Sequence, residues 1–467
     1  MPGALMRTGS SPAARSTPCL LSTSSSKRTG WSLPPARART QTRAEALHSH
    51  VSLALDRPLI AVYLITFRNW SVVWVGYVSL VTNGVMLVLQ TPVGDFIDKT
   101  RHKRPITALA ILAASVTTTA VAWTSELWAI IAIKAIEGAA ATIFLPALMS
   151  LLLAVVPDRK VGATVALAET SNKIGSVLFT IAAGVVSYYT YPDVSSVFYV
   201  LGGGGVVASV FVLLIPPATV DDDRARQLDT KKEAKGEVSP NEAAKKVSAS
   251  NYRELFRNRN IVIFAVLTFL YHLSNAGIVP LVSQLIAQQD ERASLAFTSA
   301  VLCIFYFVQA PTAYIVGLTY HRFGYKNILL VGHLVLPIRC TVLALCARFS
   351  PNKYALVSTQ VFDGIGAGIY DTLMPLVVKQ LVQGTGRYGF TFGFIVTCWR
   401  LGHGLSYLLA ETILHQSSYE VAFATLGGLG LCVCVLLLVG VHVPPECSDA
   451  PDEHAASAKP ADDQAMP

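Results

Sequence analysis

Twelve runs of mostly apolar residues recur along the chain, at 51–67, 72–93, 105–124, 128–156, 162–187, 196–216, 260–287, 295–317, 328–347, 354–378, 388–410 and 420–442. About 20 helical residues cross a bilayer core of roughly 30 Å. Backbone groups in lipid must also be satisfied within the segment that carries them, which for isolated runs of this length means helix. The pattern therefore predicts an all-α membrane protein with twelve transmembrane helices. Only 14% of the residues are charged, against about 25% in an ordinary soluble domain, which leaves too little polar surface to face water. The first run is atypical, because Asp56 and Arg57 interrupt it just before Pro58.

A formal net charge of +8 raises the question of a polyanionic partner, and the placement of the basic residues answers it. With spans alternating from an inside N-terminus, the inner loops hold Lys99, Arg101, Lys103, Arg104, Arg159, Lys160, ten Lys or Arg between 217 and 259, Arg322, Lys326, Lys379 and Arg387. The outer loops hold Arg68, Arg292, Arg348 and Lys353. Twenty against four is the positive-inside asymmetry of a bilayer protein, and no basic stripe is left for a nucleic acid. The expected partners are lipid, a small molecule and protons, and nothing in the sequence implies an oligomer. The eight cysteines include no Cys-x-x-Cys pair, so neither a zinc site nor a disulfide framework is expected. No cofactor is expected either.

Residues 217–259 are charged and polar. Such a stretch buries too little apolar area to offset its ordering entropy, and a mobile cytosolic linker with a short amphipathic helix near Tyr252–Phe256 is expected. It divides the chain into a six-helix bundle at 51–216 and a second at 260–442, with a disordered tail at 443–467. Residues 1–50 lack any acidic residue before Glu45, and two readings stand open for them, a disordered tail or an organelle transit segment. Both termini are expected in the cytosol and the protein in the plasma membrane, an organelle membrane being the alternative.

The two halves echo each other. Gln90-x-Pro92 recurs as Gln309-x-Pro311, Gly94 as Gly317, and Glu137-Gly138 as Asp363-Gly364. The three spacings agree closely enough to define one repeat, as in transporters built from parallel six-helix repeats.

The loop after the second span reads Gly94-Asp95-Phe96-Ile97-Asp98-Lys99-Thr100-Arg101-His102-Lys103-Arg104, and the loop after the eighth repeats it as Gly317 followed by His321-Arg322-Phe323-Gly324-Tyr325-Lys326. Together with Lys134-x-x-Glu137-Gly138 in the fourth span, these resemble the signatures of the major facilitator superfamily. Arg101 stands where that family has Gly, and His321 where it has Asp. His272-Leu-Ser-Asn275-Ala276, Leu336-Pro337-Ile338-Arg339 and Asp363-Gly364-Ile365-Gly366-Ala367-Gly368 followed by Gly384-Thr385-Gly386-Arg387 are similar to a branch of mostly bacterial permeases.

The resemblance implies a secondary active transporter of a small molecule, working by alternating access and coupled to protons. It implies that Asp98 latches the halves together at a cytosolic gate formed with Gly94, Lys99, Arg101, Lys103, Arg104, Gly317, Arg322, Gly324 and Lys326. Lys99, Arg101, Lys103 and Arg104 are also expected to anchor to anionic headgroups.

Charges inside spans cost roughly 2.5–3.5 kcal/mol each on insertion scales and need a partner or a wet cavity. The candidates for a substrate or proton pathway are Lys134, Glu137, Glu169, Asn172, Lys173, His272, Asn275, Arg339, Asp363, Asp371 and Arg400. Glu169 and Lys173 stand one turn apart and can pair. Asp363 and Asp371 lie about 80° apart on a helix and are expected to share one cavity. The rival readings are a transporter-like sensor or scaffold, suggested by the first span, and a pore. No hydrolase, P-loop or metalloprotease motif points to an enzyme.

Overall fold

In the computed structural model of the protein the described residues are 64, 68, 70–190, 195–227, 252–289, 294–349 and 352–440. The first span (all but Leu64), the tails and the middle of the linker at 228–251 fall outside them. The described residues form helices α1 (Val72–Lys99), α2 (Lys103–Ala120), α3 (Leu127–Val155), α4 (Asp158–Thr190), α5 (Ser196–Leu213), α6 (Asp222–Arg226), α7 (Tyr252–Arg257), α8 (Arg259–Asn275), α9 (Ile278–Gln289), α10 (Ser294–Phe323), α11 (Tyr325–Phe349), α12 (Lys353–Ser358), α13 (Gln360–Leu381), α14 (Tyr388–Gln416) and α15 (Tyr419–Gly440). Nine described segments are long and apolar enough to cross a membrane. The long helices α4 and α14, of 33 and 29 residues, correspond to the predicted fifth and eleventh spans and are more polar because they carry the charges of the seam described below.

Two predicted spans are each broken in two. The seventh divides into α8 and α9 at Ala276 and Gly277. Pro280, in the first turn of α9, has no N–H to continue the α8 ladder, and the freed Gly277 amide donates to Ser406 Oγ at 2.8 Å. The tenth span divides at Thr359, whose hydroxyl donates back to the Leu356 carbonyl at 2.6 Å.

Lipid as solvent explains what the outside looks like. Leu80, Val88, Trp128, Phe307 and Val439 are exposed on the periphery, as expected where no water competes. Inside each half, α1 and α2 pack on α3, α2 packs on α5, α10 packs on α13, and α11 packs on α13 and α15. The halves meet along two seams, α1 against α14 and α4 against α10. Both seams depend on missing side chains. A Cβ on Gly94 would lie 2.1 Å from the Gly389 carbonyl oxygen, and one on Gly317 would lie 1.9 Å from the Ala166 Cβ.

The ends of the linker are ordered and packed: the short helix expected near Tyr252–Phe256 is α7, whereas the helix at Asp222–Arg226 stands where a mobile segment is expected. Asp221 caps α6 by accepting from the Asp223 and Arg224 amides, and α7 sets Phe256 against Phe390 and Phe394, with ring centroids 6.1 and 5.2 Å away. The difference arises because the linker buries its few aromatics against α14, not against itself.

Candidate functional site

The polar contacts between the halves fall at two depths. At the end that bears the basic loops, Asp98 closes the last turn of α1 and points at the first turn of α14. Its carboxylate accepts from the Gly389 amide at 2.7 Å and the Phe390 amide at 2.8 Å, and it is only 2% exposed. The first amides of a helix lack internal acceptors and carry the positive end of the helix dipole, so an anion there satisfies both. One turn earlier, Asp95 pairs with Lys99 and, across the seam, with Arg387 at 2.9 Å. On the second seam Lys379, at the end of α13, meets Asp158, at the start of α4, at 2.8 Å.

The predicted gate residues divide into those the seams use and those they do not. Gly94 and Gly317 sit at the two closest approaches. Gly324, at φ +79°, occupies the left-handed position that ends α10, which glycine adopts without strain. Lys326 donates to the Leu438 carbonyl at 2.7 Å and Arg104 to the Leu213 carbonyl at 2.8 Å, so each ties loops within its own half. Arg101 and Arg322 are exposed. Lys103 departs from its expected place at the lipid surface. It is 1% exposed and its ammonium pairs with Asp222 of the linker at 2.8 Å, because an ammonium turned inward needs a carboxylate and α6 brings one.

At mid-depth the charges meet again. Lys173, midway along α4, lies 3.1 Å from Asp371 on α13 and 3.8 Å from Glu169, one turn back on its own helix. Gln309 donates to the same Asp371 oxygen at 2.7 Å, and Asn172 reaches Glu169 at 3.4 Å. Between the two depths, Thr91 and Thr397 share a hydrogen bond of 2.9 Å on the first seam, and Thr170 donates to the Ala310 carbonyl at 3.1 Å on the second. Arg400, on α14, reaches across to Met86 Sδ at 3.3 Å.

The remaining candidates pair inside one half. Lys134 and Glu137 join at 2.7 Å along α3. Arg339 and Asp363 join at 3.0 Å between α11 and α13. Asn275 donates to Asp363 at 3.1 Å, while Arg339 donates to Asn275 at 3.3 Å and to Gln360 at 3.0 Å. Asp363 and Asp371, expected to share one cavity, take different partners, Arg339 and Lys173. Their difference in helical phase is enough to aim one at α11 and the other at α4. His272 lies buried among Tyr370 and Trp399, with ring centroids 5.0 and 5.4 Å away.

Sequence reasoning missed Asp95, Tyr252 and Gln309 as site residues. Asp95 adjoins Gly94, and Gln309 is visible as a repeat landmark whose amide, in mid-span, demands a partner. Among the described residues no cluster of His, Cys, Asp or Glu is arranged to hold a metal ion.

Two bundles of apolar helices that meet along polar seams define a membrane carrier. A family model described as Major Facilitator Superfamily matches residues 49–271 and 264–463. The chain belongs to that superfamily and is an integral, multi-pass membrane transporter with its fold of twelve helices in two bundles. It is 33% identical over 393 residues to an uncharacterized MFS-type transporter of Mycobacterium tuberculosis, a match that covers 84% of this chain and 90% of the relative. Protein spinster homolog 3 of Danio rerio is 28% identical over 193 residues, 39% of this chain and 37% of that one. Among solved structures, the human organic anion transporter MFSD10 superposes with a TM-score of 0.64 at 16% identity, covering 86% of this chain and all of that one. The transporter FucP in its outward conformation superposes with a TM-score of 0.63 at 13% identity, covering 87% and 99%.

Proposed function

We propose that the protein is a secondary active transporter that moves a small molecule by alternating access, with proton coupling at Glu169, Lys173 and Asp371. The basic-loop end is the cytosolic end by the positive-inside rule, both termini lie on that side, and the plasma membrane is the membrane crossed. The contacts at Asp98, Asp95 and Asp158 then belong to a state closed toward the cytosol.

One observation carries the coupling: a single ammonium serves a carboxylate on its own helix and another across the seam. When the halves part, Lys173 keeps Glu169, which travels with it on α4, and loses Asp371. Opening toward the cytosol thus separates Lys173 from Asp371 and closing rejoins them, and this exchange of partners is where the coupling is proposed to lie. Gln309, whose amide already donates to Asp371, stays with it through the cycle because α10 and α13 pack within one half.

The test is proton movement in proteoliposomes across a panel of sugars, organic anions and organic cations. Asp371→Asn is expected to abolish substrate-driven proton flux while sparing counterflow, which needs no net proton transfer. Proton flux undiminished in that variant would place the coupling elsewhere. Absence of counterflow for every compound would instead favour a sensor.

A further inference from the structure

We infer that Tyr252, at the start of α7, is a positioning residue of the cytosolic gate: it joins Asp95 of one half to Arg387 of the other and holds the closed state. The inference rests on the alternating-access reading, and concerns a residue of the segment between the bundles.

The geometry is a three-way junction. The Tyr252 hydroxyl donates to Asp95 Oδ1 at 2.6 Å and accepts from Arg387 Nη1 at 3.1 Å. That same guanidinium nitrogen reaches Asp95 Oδ1 at 2.9 Å. One phenol oxygen thus bridges the two charges and supplies the acidic partner with a third donor, beside Arg387 and Lys99. The guanidinium carbon stands 4.2 Å from the centre of the Tyr252 ring, within the range of a cation–π contact. Lys99 approaches the same ring at 5.8 Å, and Phe390 packs on it with centroids 4.9 Å apart. Phe390 is also the residue whose amide binds Asp98, so the tyrosine leans on the helix turn that the signature aspartate holds.

A carboxylate and a guanidinium near the water interface contribute little by themselves, because water solvates both when they part. A half-buried hydroxyl with a charged partner on each side changes the comparison. With Tyr252 packed on α14 beside Arg387, opening the gate would break two charge-assisted hydrogen bonds in one step, from Tyr252 and from Arg387 to Asp95. A free tether between bundles has no need of such a residue. The neighbouring contacts point the same way: Lys103 is held by Asp222 at 2.8 Å, Arg226 donates to the Lys99 carbonyl at 3.1 Å, and the Gly384 amide donates to the Gln227 carbonyl at 2.6 Å. Both ordered ends of the linker thus bind at the gate.

The experiment measures the distance between genetically encoded spin labels at His102 and Asn327, exposed positions on opposite halves, in the full-length protein in lipid nanodiscs. Tyr252→Phe keeps the ring and removes the hydroxyl. It is expected to raise the ratio of open to closed populations about tenfold, and to have no such effect in an Asp95→Asn background, where the bridge is already broken. Asp98→Asn serves as the reference opening. If that variant opens the gate and Tyr252→Phe leaves the distances as in the wild type, the tyrosine is packing only and the inference fails while alternating access stands. An equal effect of Tyr252→Phe with and without Asp95 also overturns it. If neither variant opens the gate, the inference fails together with the rocking motion it rests on.

Discussion

The two seams that join the halves are related by the internal repeat, and they are built differently. Gly94 faces Gly389 on the first seam, and Gly317 faces Gly162 and Ala166 on the second. The step along the chain from Gly162 to Gly389 also carries Thr170 to Thr397, each of which bonds across its seam. It carries Lys173 to Arg400 as well. At the cytosolic end the first seam has Asp98 on the opening amides of α14, while the corresponding residue of the second is His321, which is exposed. There α4 begins with its own acid, Asp158, held by Lys379, and Tyr320 fills the space beside Gly162. At mid-depth the order reverses. Lys173 has two carboxylates, whereas the repeat sets Val396 in the place of Glu169 and Leu145 in the place of Asp371. The comparison teaches that two seams related by a repeat have come to differ: one sets Asp98 on the opening amides of α14, the other carries Lys173 with its two carboxylates, which under the proposed motion would make one the lock and the other the pair that parts.

The largest effect expected from breaking this division is at Lys173. Lys173→Met leaves Glu169, buried, and Asp371, half-buried, without their cation, which costs about 3–5 kcal/mol and should appear as a large fall in thermal unfolding temperature in detergent. Adding Glu169→Gln and Asp371→Asn should restore most of it, and a triple variant no more stable than Lys173→Met would refute the charge account. Next comes the lock. Asp98→Asn removes the anion from the α14 amides and should weaken closure by about 1.5–3 kcal/mol, read as reduced transport at unchanged surface abundance.

Glycine substitutions sharpen the same contrast by about 1–3 kcal/mol each. Gly317→Ala meets a side-chain methyl and should be rescued by Ala166→Gly. Gly94→Ala meets the Gly389 carbonyl itself, so no single second-site glycine is expected to relieve it. The smallest effect is at the position that the repeat sets opposite Asp98: His321→Ala should change stability by no more than about 0.5 kcal/mol, and transport loss equal to that of Asp98→Asn would show that His321 locks the second seam as Asp98 locks the first.

Much of this is legible in the sequence. The lengths of the apolar runs dictate the helices, because lipid allows the backbone no other partner. The lock at Gly94 and Asp98 is legible through the resemblance of their loop to the superfamily's signature, and both residues meet the backbone at the start of α14. Partners far apart in the chain are what local reading misses. Lys103 reads as a headgroup anchor because nothing local reveals Asp222, 119 residues on. Asp363 and Asp371 read as sharing one cavity because helical phase fixes an angle but not which helix stands opposite. Tyr252 lies in a stretch read as a linker with a short helix, and its partners Phe390, Arg387 and Asp95 all lie far from it in the chain.

The motion itself can be tested at one pair of residues. The Thr91 and Thr397 hydroxyl oxygens lie 2.9 Å apart across the first seam, so cysteines placed there fall within reach of a disulfide. With the two halves rocking apart at this seam, oxidation of Thr91→Cys/Thr397→Cys should stop counterflow in proteoliposomes and reduction should restore it. Counterflow at the full rate through the cross-linked protein would contradict the account.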